Sequence, residues 1–238
     1  MQKTFLKAEW RKLIIVNYLM EPNKLIPYLP NKTELDLWNG QCYVSLVGFR
    51  FMNTRLKSFS IPFHRDFEEI NLRFYVRYKE GNTWKRGVTF IKEIVPRAAL
   101  TFVANSFYGE KYVTLPTRHH WELHNDSIKV AYEWKHDGMW DSLEVIASSK
   151  GLDIPTGSEE EFITEHYWGY TQINGRLTSE YQVEHPRWQT YDVMNHKISV
   201  RFGELYGAEF GMLKDSLPQS VMLAEGSVIS VRGATKIK

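Results

Sequence analysis

The chain of 238 residues reads as a mainly β protein of the α+β kind. The expected architecture is an antiparallel sheet, strongly curved or closed into a barrel or cone, with about three short helices. Three observations carry this reading. Apolar residues alternate strictly from Ile70 through Leu72, Phe74 and Val76 to Tyr78, the period-two mark of a strand buried on one side. Turn signals such as Asn39-Gly40, Glu80-Gly81-Asn82 and Asn174-Gly175 separate strand-like runs at hairpin length. Aromatic residues are plentiful, with 13 Phe, 13 Tyr and 8 Trp, and they favour strands and large cores. Closure suits so many strands because it removes exposed edges.

Taken in order, residues 13–19 form the first expected strand. Glu21-Pro22 opens a helical turn through Leu25 to Tyr28 that stops at Pro30, since proline suits a first turn and not an interior. Residues 34–38 and 41–52 flank Asn39-Gly40 as the arms of a hairpin. The second arm is apolar on both faces, Val44 and Leu46 against Val47 and Phe49, which predicts a central, doubly covered strand. Arg50 interrupts it and needs a carboxylate, a ligand or the wet end of the strand. The alternating strand, up to Lys79, pairs with residues 84–95 across Glu80-Gly81-Asn82.

Alanine density after Pro96 predicts a helix over 98–104. Strand-like runs follow at 113–123, 128–136 and 143–147. Ser158 with Glu161 is a capping box, and its helix is expected to continue through Phe162, His166 and Tyr167 to Gly169. A hairpin arm alternates over 177–184. A further helix is expected over 200–210, where Phe202, Leu205, Tyr206 and Phe210 fall near one face. Two short strands, at 220–223 and 228–231, close the chain around Glu225-Gly226. No linker, repeat or low-complexity segment divides the sequence, so residues 1–238 are expected to form one domain.

Composition excludes several functions. Lys and Arg number 30 against 28 Asp and Glu, a net charge of +2, so no basic excess points to nucleic acid. Cys42 is the single cysteine, which rules out an intramolecular disulfide and a cysteine-based zinc site and suggests a reducing compartment. The longest early apolar run, Leu13 to Val16, is too short for a signal-peptide core. No stretch approaches the ~20 apolar residues of a membrane helix. A soluble, cytoplasmic protein without a membrane partner is expected, with homo-oligomerisation left open.

Standard chemical signatures are absent: there is no phosphate loop of the GxxxxGK or GxGxxG type and no GxSxG elbow. The histidines lack the HExxH spacing, so neither a metal site nor a cofactor is expected. The chemistry concentrates on the polar face of the alternating strand, where Glu69, Asn71, Arg73, Tyr75 and Arg77 stand in a row. Such a row lines a cavity that binds a polar or anionic ligand, or else it is a solvated ladder of cross-strand pairs. Glu68, Glu69, Glu110, His64 and His166 are the acid–base candidates, with His166 alternatively a helix residue packed beside Trp168. Lys92 and Lys111 lie nearest the apolar strands and are the candidates for a Schiff base.

The segments TELDLWNGQCYVSLVGFRF, IPFHRDFEEINLRFYV, RGVTFIKEIVPR, YGEKYVTLP and EEFITEHYWGYT resemble the YqjF-like family of uncharacterised proteins, a likeness running from Ala8 to Ser227. The resemblance implies an acetoacetate decarboxylase-like fold, an antiparallel β cone around a small-molecule cavity. Acetoacetate decarboxylases carry a glutamate followed a few residues on by Pro-Lys-Lys, whose lysines form and tune a Schiff base. Here Glu110 and Pro116 correspond, but Thr117 and Arg118 stand where the lysines would be. A guanidinium stays protonated and forms no imine.

Three functions follow as expectations. The first is a cavity binding a small carboxylated or oxo compound, with Arg73, Arg118 or Arg50 as the anion clamp and Asn71, His64 and His166 as further ligand contacts. The second is a lyase-like or other enzyme acting on a keto or hydroxy acid, with Glu69 or Glu110 as acid and base. The third is a structural or partner-binding protein whose Glu/Arg rows are surface ladders. The side to which Glu69, Asn71 and Arg73 point decides between cavity and ladder.

Overall fold

A computed structural model describes residues 3–57, 59 and 64–238, without the side chains of residues 103, 104, 107 and 108. The motif residues 61–63 lie outside this set. Fourteen strands occur among the described residues: β1 (Thr4–Leu19), β2 (Thr33–Leu35), β3 (Tyr43–Leu56), β4 (Phe67–Glu80), β5 (Thr83–Val95), β6 (Tyr112–Thr114), β7 (Thr117–Leu123), β8 (Ser127–His136), β9 (Met139–Asp153), β10 (Trp168–Asn174), β11 (Leu177–Glu184), β12 (Gln189–Ser199), β13 (Ser220–Arg232) and β14 (Thr235–Ile237). The helices are α1 (Pro22–Leu25), α2 (Ala98–Tyr108), α3 (Glu159–Thr164) and α4 (Phe202–Tyr206), with 3-10 turns at Ile26–Tyr28 and Ala208–Lys214. No described helix is long and apolar enough to cross a membrane.

All the strands belong to one strongly curved sheet, ordered β14-β11-β10-β5-β4-β3-β1-β13-β12-β9-β8-β7, with β2 beside β4 and β6 beside β5. An additional pairing of β11 with β13, through Val183↔Val231 and Glu184↔Ser230, links β11, β10, β5, β4, β3, β1 and β13 into a ring. The sheet is mixed rather than purely antiparallel, because β10 and β6 both run parallel to β5. A parallel neighbour needs a crossover connection, and α2 supplies it between β5 and β6.

Two apolar cores share β4. Ile70, Leu72, Phe74 and Val76 pack with Ile14, Leu46, Tyr132, Trp134 and Phe202 on the outer side of the ring. Phe67 and Tyr75 pack inside it with Leu13, Phe49, Phe51, Phe162 and Trp188. The doubly covered reading of β3 therefore holds: Val44 and Leu46 belong to the outer core, Val47 and Phe49 to the inner.

Several boundaries differ from expectation, each for a physical reason. Asn39 and Gly40 do form a left-handed turn, φ 48° and 79°, closed by the Trp38↔Gln41 bridge. The flanking arms nevertheless do not pair with each other, because β1 and β4 occupy both edges of β3 and β2 joins β4 instead. The Ser158 cap forms, its hydroxyl accepting the Glu161 N–H at 3.2 Å, but α3 stops at Thr164 instead of reaching Gly169. Beyond it the sheet captures the chain: the Tyr167 N–H donates to the Arg86 carbonyl, and Tyr167 O accepts from Val183 N–H. His166 thus sits in a connection, not on a helix. The helix expected over 200–210 breaks at Gly207, φ 123°, into α4 and a 3-10 turn. The last two expected strands are one, β13, bent at Gly226 (φ 78°), where a Cβ would lie 2.0 Å from the Trp10 carbonyl oxygen.

Candidate functional site

The ring lines a partly open cavity of about 220 Å³. Its two ends differ in chemistry because of residue order along β3 and β4. Phe51 faces Phe67, Phe49 faces Glu69, and Val47 faces Asn71 in register. At the aromatic end Phe51 stacks on Phe67 with ring centroids 4.6 Å apart, and Trp10 meets Phe49 edge-on at 5.3 Å. Moving along the same face of β4, the lining becomes Glu69, Asn71 and Arg73.

Neighbouring elements bring further polar groups to that end. Glu93 on β5 lies opposite Asn71, and the parallel pairing Glu93↔Tyr112 carries in Tyr112 and the preceding Glu110. Tyr181 reaches the cluster from β11 across Gly169, where any Cβ would stand 2.2 Å from the tyrosine ring. Glu69 accepts from Asn71 Nδ2 at 3.0 Å through Oε1 and from the Tyr112 hydroxyl at 2.8 Å through Oε2.

Three carboxyl groups are thus held in a largely apolar enclosure. Residue exposures of 3 % for Glu69, 1 % for Glu93 and 8 % for Glu110 set the electrostatics. Burial is the main force pushing the Glu69 carboxyl up to about 7; the Glu110 charge adds to it, while Tyr112, Asn71 and Arg73 oppose it. Glu93 and Glu110 are raised for the same first reason, with charge repulsion from Glu110 and Glu69 adding at Glu93. A buried carboxyl that keeps its proton is a hydrogen-bond donor, so with Arg73 this end of the cavity is rich in donors.

His166 also lines the cavity. Its Nε2 lies 3.0 Å from Asp36 Oδ2, which also accepts from Arg86 Nε at 2.6 Å. Burial pushes the imidazole down to about 4, so it is neutral near pH 7. Seven buried polar atoms on cavity-lining residues have no hydrogen-bond partner among the described residues: Trp10 Nε1, Thr54 Oγ1, Asn71 Oδ1, Arg73 Nε, Glu93 Oε2, Glu110 Oε1 and His166 Nδ1. Leaving each unsatisfied costs about 1–3 kcal/mol, so their concentration in one place calls for an explanation.

Of the residues singled out from the sequence, Glu69, Asn71, Arg73, Glu110, His64 and His166 line this cavity. Arg50 and Arg118 do not. Arg50 lies on the outer side, its Nη1 2.9 Å from His119 Nε2 and its guanidinium 5.7 Å from the Trp121 ring centre. Arg118 is exposed, donates to Glu133 at 2.9 Å and lies over Trp140. Lys92 bonds the Leu205 carbonyl and Lys111 lies over the Tyr28 ring, so no lysine is among the described residues lining the cavity. Glu93, Tyr112, Tyr181 and Asp36 escaped the sequence reading. Glu93 carried a signal, a carboxylate beside Lys92 within the strand-like segment Ile91 to Val95; Tyr112 lies two residues after Glu110, the spacing that puts two side chains on one side of an extended chain.

Comparisons with known proteins agree with this architecture. The chain is 26 % identical over 188 residues to the uncharacterized protein YqjF of Bacillus subtilis (strain 168), spanning 77 % of this chain and 74 % of that one. Acetoacetate decarboxylase from Legionella pneumophila superposes with a TM-score of 0.67 at 12 % identity, covering 98 % of this chain and 87 % of its own. An acetoacetate decarboxylase-like enzyme from Sphingomonas wittichii RW1 gives 0.68 at 10 % identity, covering 99 % and 94 %. The enduracididine biosynthesis enzyme MppR, complexed with pyruvate, gives 0.66 at 12 % identity, covering 100 % and 92 %. At these identities the likeness is one of fold. Residues 7–228 match the model of DUF2071, described as an uncharacterized conserved protein, and the chain is therefore a member of the DUF2071 family built on an acetoacetate decarboxylase-like fold.

Proposed function

We propose that the whole chain acts as one domain whose cavity binds a small compound with a carboxylate or oxo head and an apolar tail. The observation that carries this reading is the orientation of β4: Glu69, Asn71 and Arg73 are buried and line a partly open cavity. Arg73 supplies a fixed cation, and the proton-holding carboxyls supply donors, a set that suits oxygen acceptors. The aromatic end around Trp10, Phe49, Phe51 and Phe67 suits the tail. MppR, of the same fold, is complexed with pyruvate, which supports the ligand class. The reading needs no imine. A cytoplasmic location, without nucleic acid or membrane as partner, goes with it.

The test is a thermal-shift panel of pyruvate, phenylpyruvate, lactate and hexanoate on the wild type and Arg73→Ala. A ligand at 100 times its Kd adds about 2.7 kcal/mol, roughly 2–4 °C for a chain of this size. The expected result is a shift with at least one acid that Arg73→Ala abolishes. A panel without any shift, or a shift that survives in Arg73→Ala, overturns the reading.

A further inference from the structure

Asp36 and His166 make an arrangement that holding a ligand does not require. Asp36 is anchored to β4 by its N–H bond to the Tyr75 carbonyl, at 3.0 Å. Although burial opposes it, the bonds from His166 and Arg86 hold its carboxyl below the usual carboxylate range. The two side chains are only 2 % and 6 % exposed, and the imidazole is wedged between Phe162, edge-on at 5.1 Å, and Tyr75 at 4.7 Å. A carboxylate accepts only, so the ring proton is assigned to Nε2 and the lone pair to Nδ1. That Nδ1 is buried without a partner on a residue that borders the cavity. Most buried ring nitrogens are hydrogen-bonded, so a lone pair left unpaired beside a cavity is one that a ligand can engage. The same cavity carries Arg73 and the donor carboxyl of Glu69, groups able to stabilise charge developing on an oxygen.

We propose that His166, oriented by Asp36, takes a proton from the carbon next to the carbonyl of a bound 2-oxo acid, so that the cavity interconverts keto and enol forms. This rests on the ligand reading above and adds a reaction to it. The Nδ1 lone pair forms the new N–H bond as the C–H bond breaks. The C–H electron pair becomes the C=C bond, and the carbonyl π pair moves onto oxygen, which takes the Glu69 carboxyl proton. The imidazolium then loses its proton to solvent and Glu69 regains one, so protons balance and no oxidant, reductant or cofactor is consumed. His166 is the catalytic base and Asp36 a positioning residue, selecting the tautomer. An aromatic tail matches the far end of the cavity, which makes phenylpyruvate the probe.

The experiment follows loss of the phenylpyruvate C3 proton signals in D2O by NMR, alongside the thermal shift with the same compound. The wild type is expected to exchange these protons at least tenfold faster than buffer, with saturation. His166→Gln and His166→Ala should fall to the buffer rate even at phenylpyruvate concentrations that saturate each variant. Asp36→Ala removes the acceptor that holds Nε2–H and should lower kcat for exchange at least tenfold with KM unchanged, and Asp36→Asn, whose amide oxygen can take the same His166 and Arg86 donors, should restore part of it. A wild type that binds phenylpyruvate without exchange above buffer, or a His166→Gln variant that exchanges as fast as wild type, overturns the proposal and leaves the ligand reading standing. Absence of both shift and exchange overturns the proposal together with that reading as applied to phenylpyruvate.

Discussion

Glu68 and Glu69 are adjacent on β4, and each carboxyl receives two hydrogen bonds. Glu68 faces the outer side, where His119 Nδ1 lies 2.5 Å from Oε1 and the Thr117 hydroxyl donates at 2.6 Å to Oε2. Glu69 faces the cavity, where Asn71 and Tyr112 donate. Burial raises both, yet at Glu68 the bonds from His119 and Thr117 prevail and hold it down to about 2, whereas Glu69 rises to about 7. Counting side-chain hydrogen bonds does not separate the two residues, although a backbone N–H adds to them at Glu68. What separates them is a deeper burial at Glu69 and the company of Glu110 in place of His119. One face of the strand has become a hydrogen-bonded latch between β4 and β7; the other carries a carboxyl that burial pushes up.

The largest effect that would break this contrast is in the pH dependence of stability. A raised folded-state carboxyl, like Glu69, contributes stability that is full below its unfolded value and is lost as pH rises through the folded one. The stability difference between wild type and Glu69→Gln should therefore shrink by on the order of 3 kcal/mol between about pH 4.5 and 7, a share to which raised Glu93 and Glu110 add and which the lowered His166 opposes in the wild-type curve. A variant with the wild-type slope would sink the assignment. Next in size is the ligand shift, about 2.7 kcal/mol at 100 times Kd, which Arg73→Ala should abolish.

The mirror experiment is on Glu68. A depressed carboxyl contributes stability above its unfolded value that is lost as pH falls, here from about 4.5 towards about 2. Glu68→Gln should cost about 2 kcal/mol at pH 7 and flatten the acid limb while leaving the alkaline slope untouched. An acid limb unchanged in that variant would show that the latch does not hold the carboxylate. Smallest of all is Arg118→Ala, an exposed pair with Glu133 away from the cavity. Its ligand-induced shift should equal that of the wild type, and a loss matching Arg73→Ala would mean that the clamp has been placed on the wrong strand.

Much of the site was legible because a strand has only two faces. The alternation Ile70, Leu72, Phe74, Val76 puts Glu69, Asn71 and Arg73 together on the other side. Glu110 came from a motif resemblance, and the structure does bring it to the same cavity. Arg50 and Arg118 show the limit of that reasoning, since a charge in an apolar strand announces that it needs a partner but not which one. Arg50 found His119 and Trp121; Arg118 found Glu133. His166 looked helical because a cap and its acids specify where a helix starts, whereas its end was decided by the ladder that takes over at Tyr167.

By itself, then, the sequence determined many of the strands, though not β12 or β14 and not the break between β6 and β7, together with the left-handed turn at Asn39-Gly40, the Ser158 cap and the segregation of residues between the two faces of β4, all set by interactions within a few positions of the chain. The tertiary structure alone decided which face became the inside. That choice depends on the β11–β13 pairing that closes the ring and on the α2 crossover that lays Glu110 and Tyr112 beside Glu93. Both are contacts between distant segments, and nothing in the local periodicity of either partner encodes them.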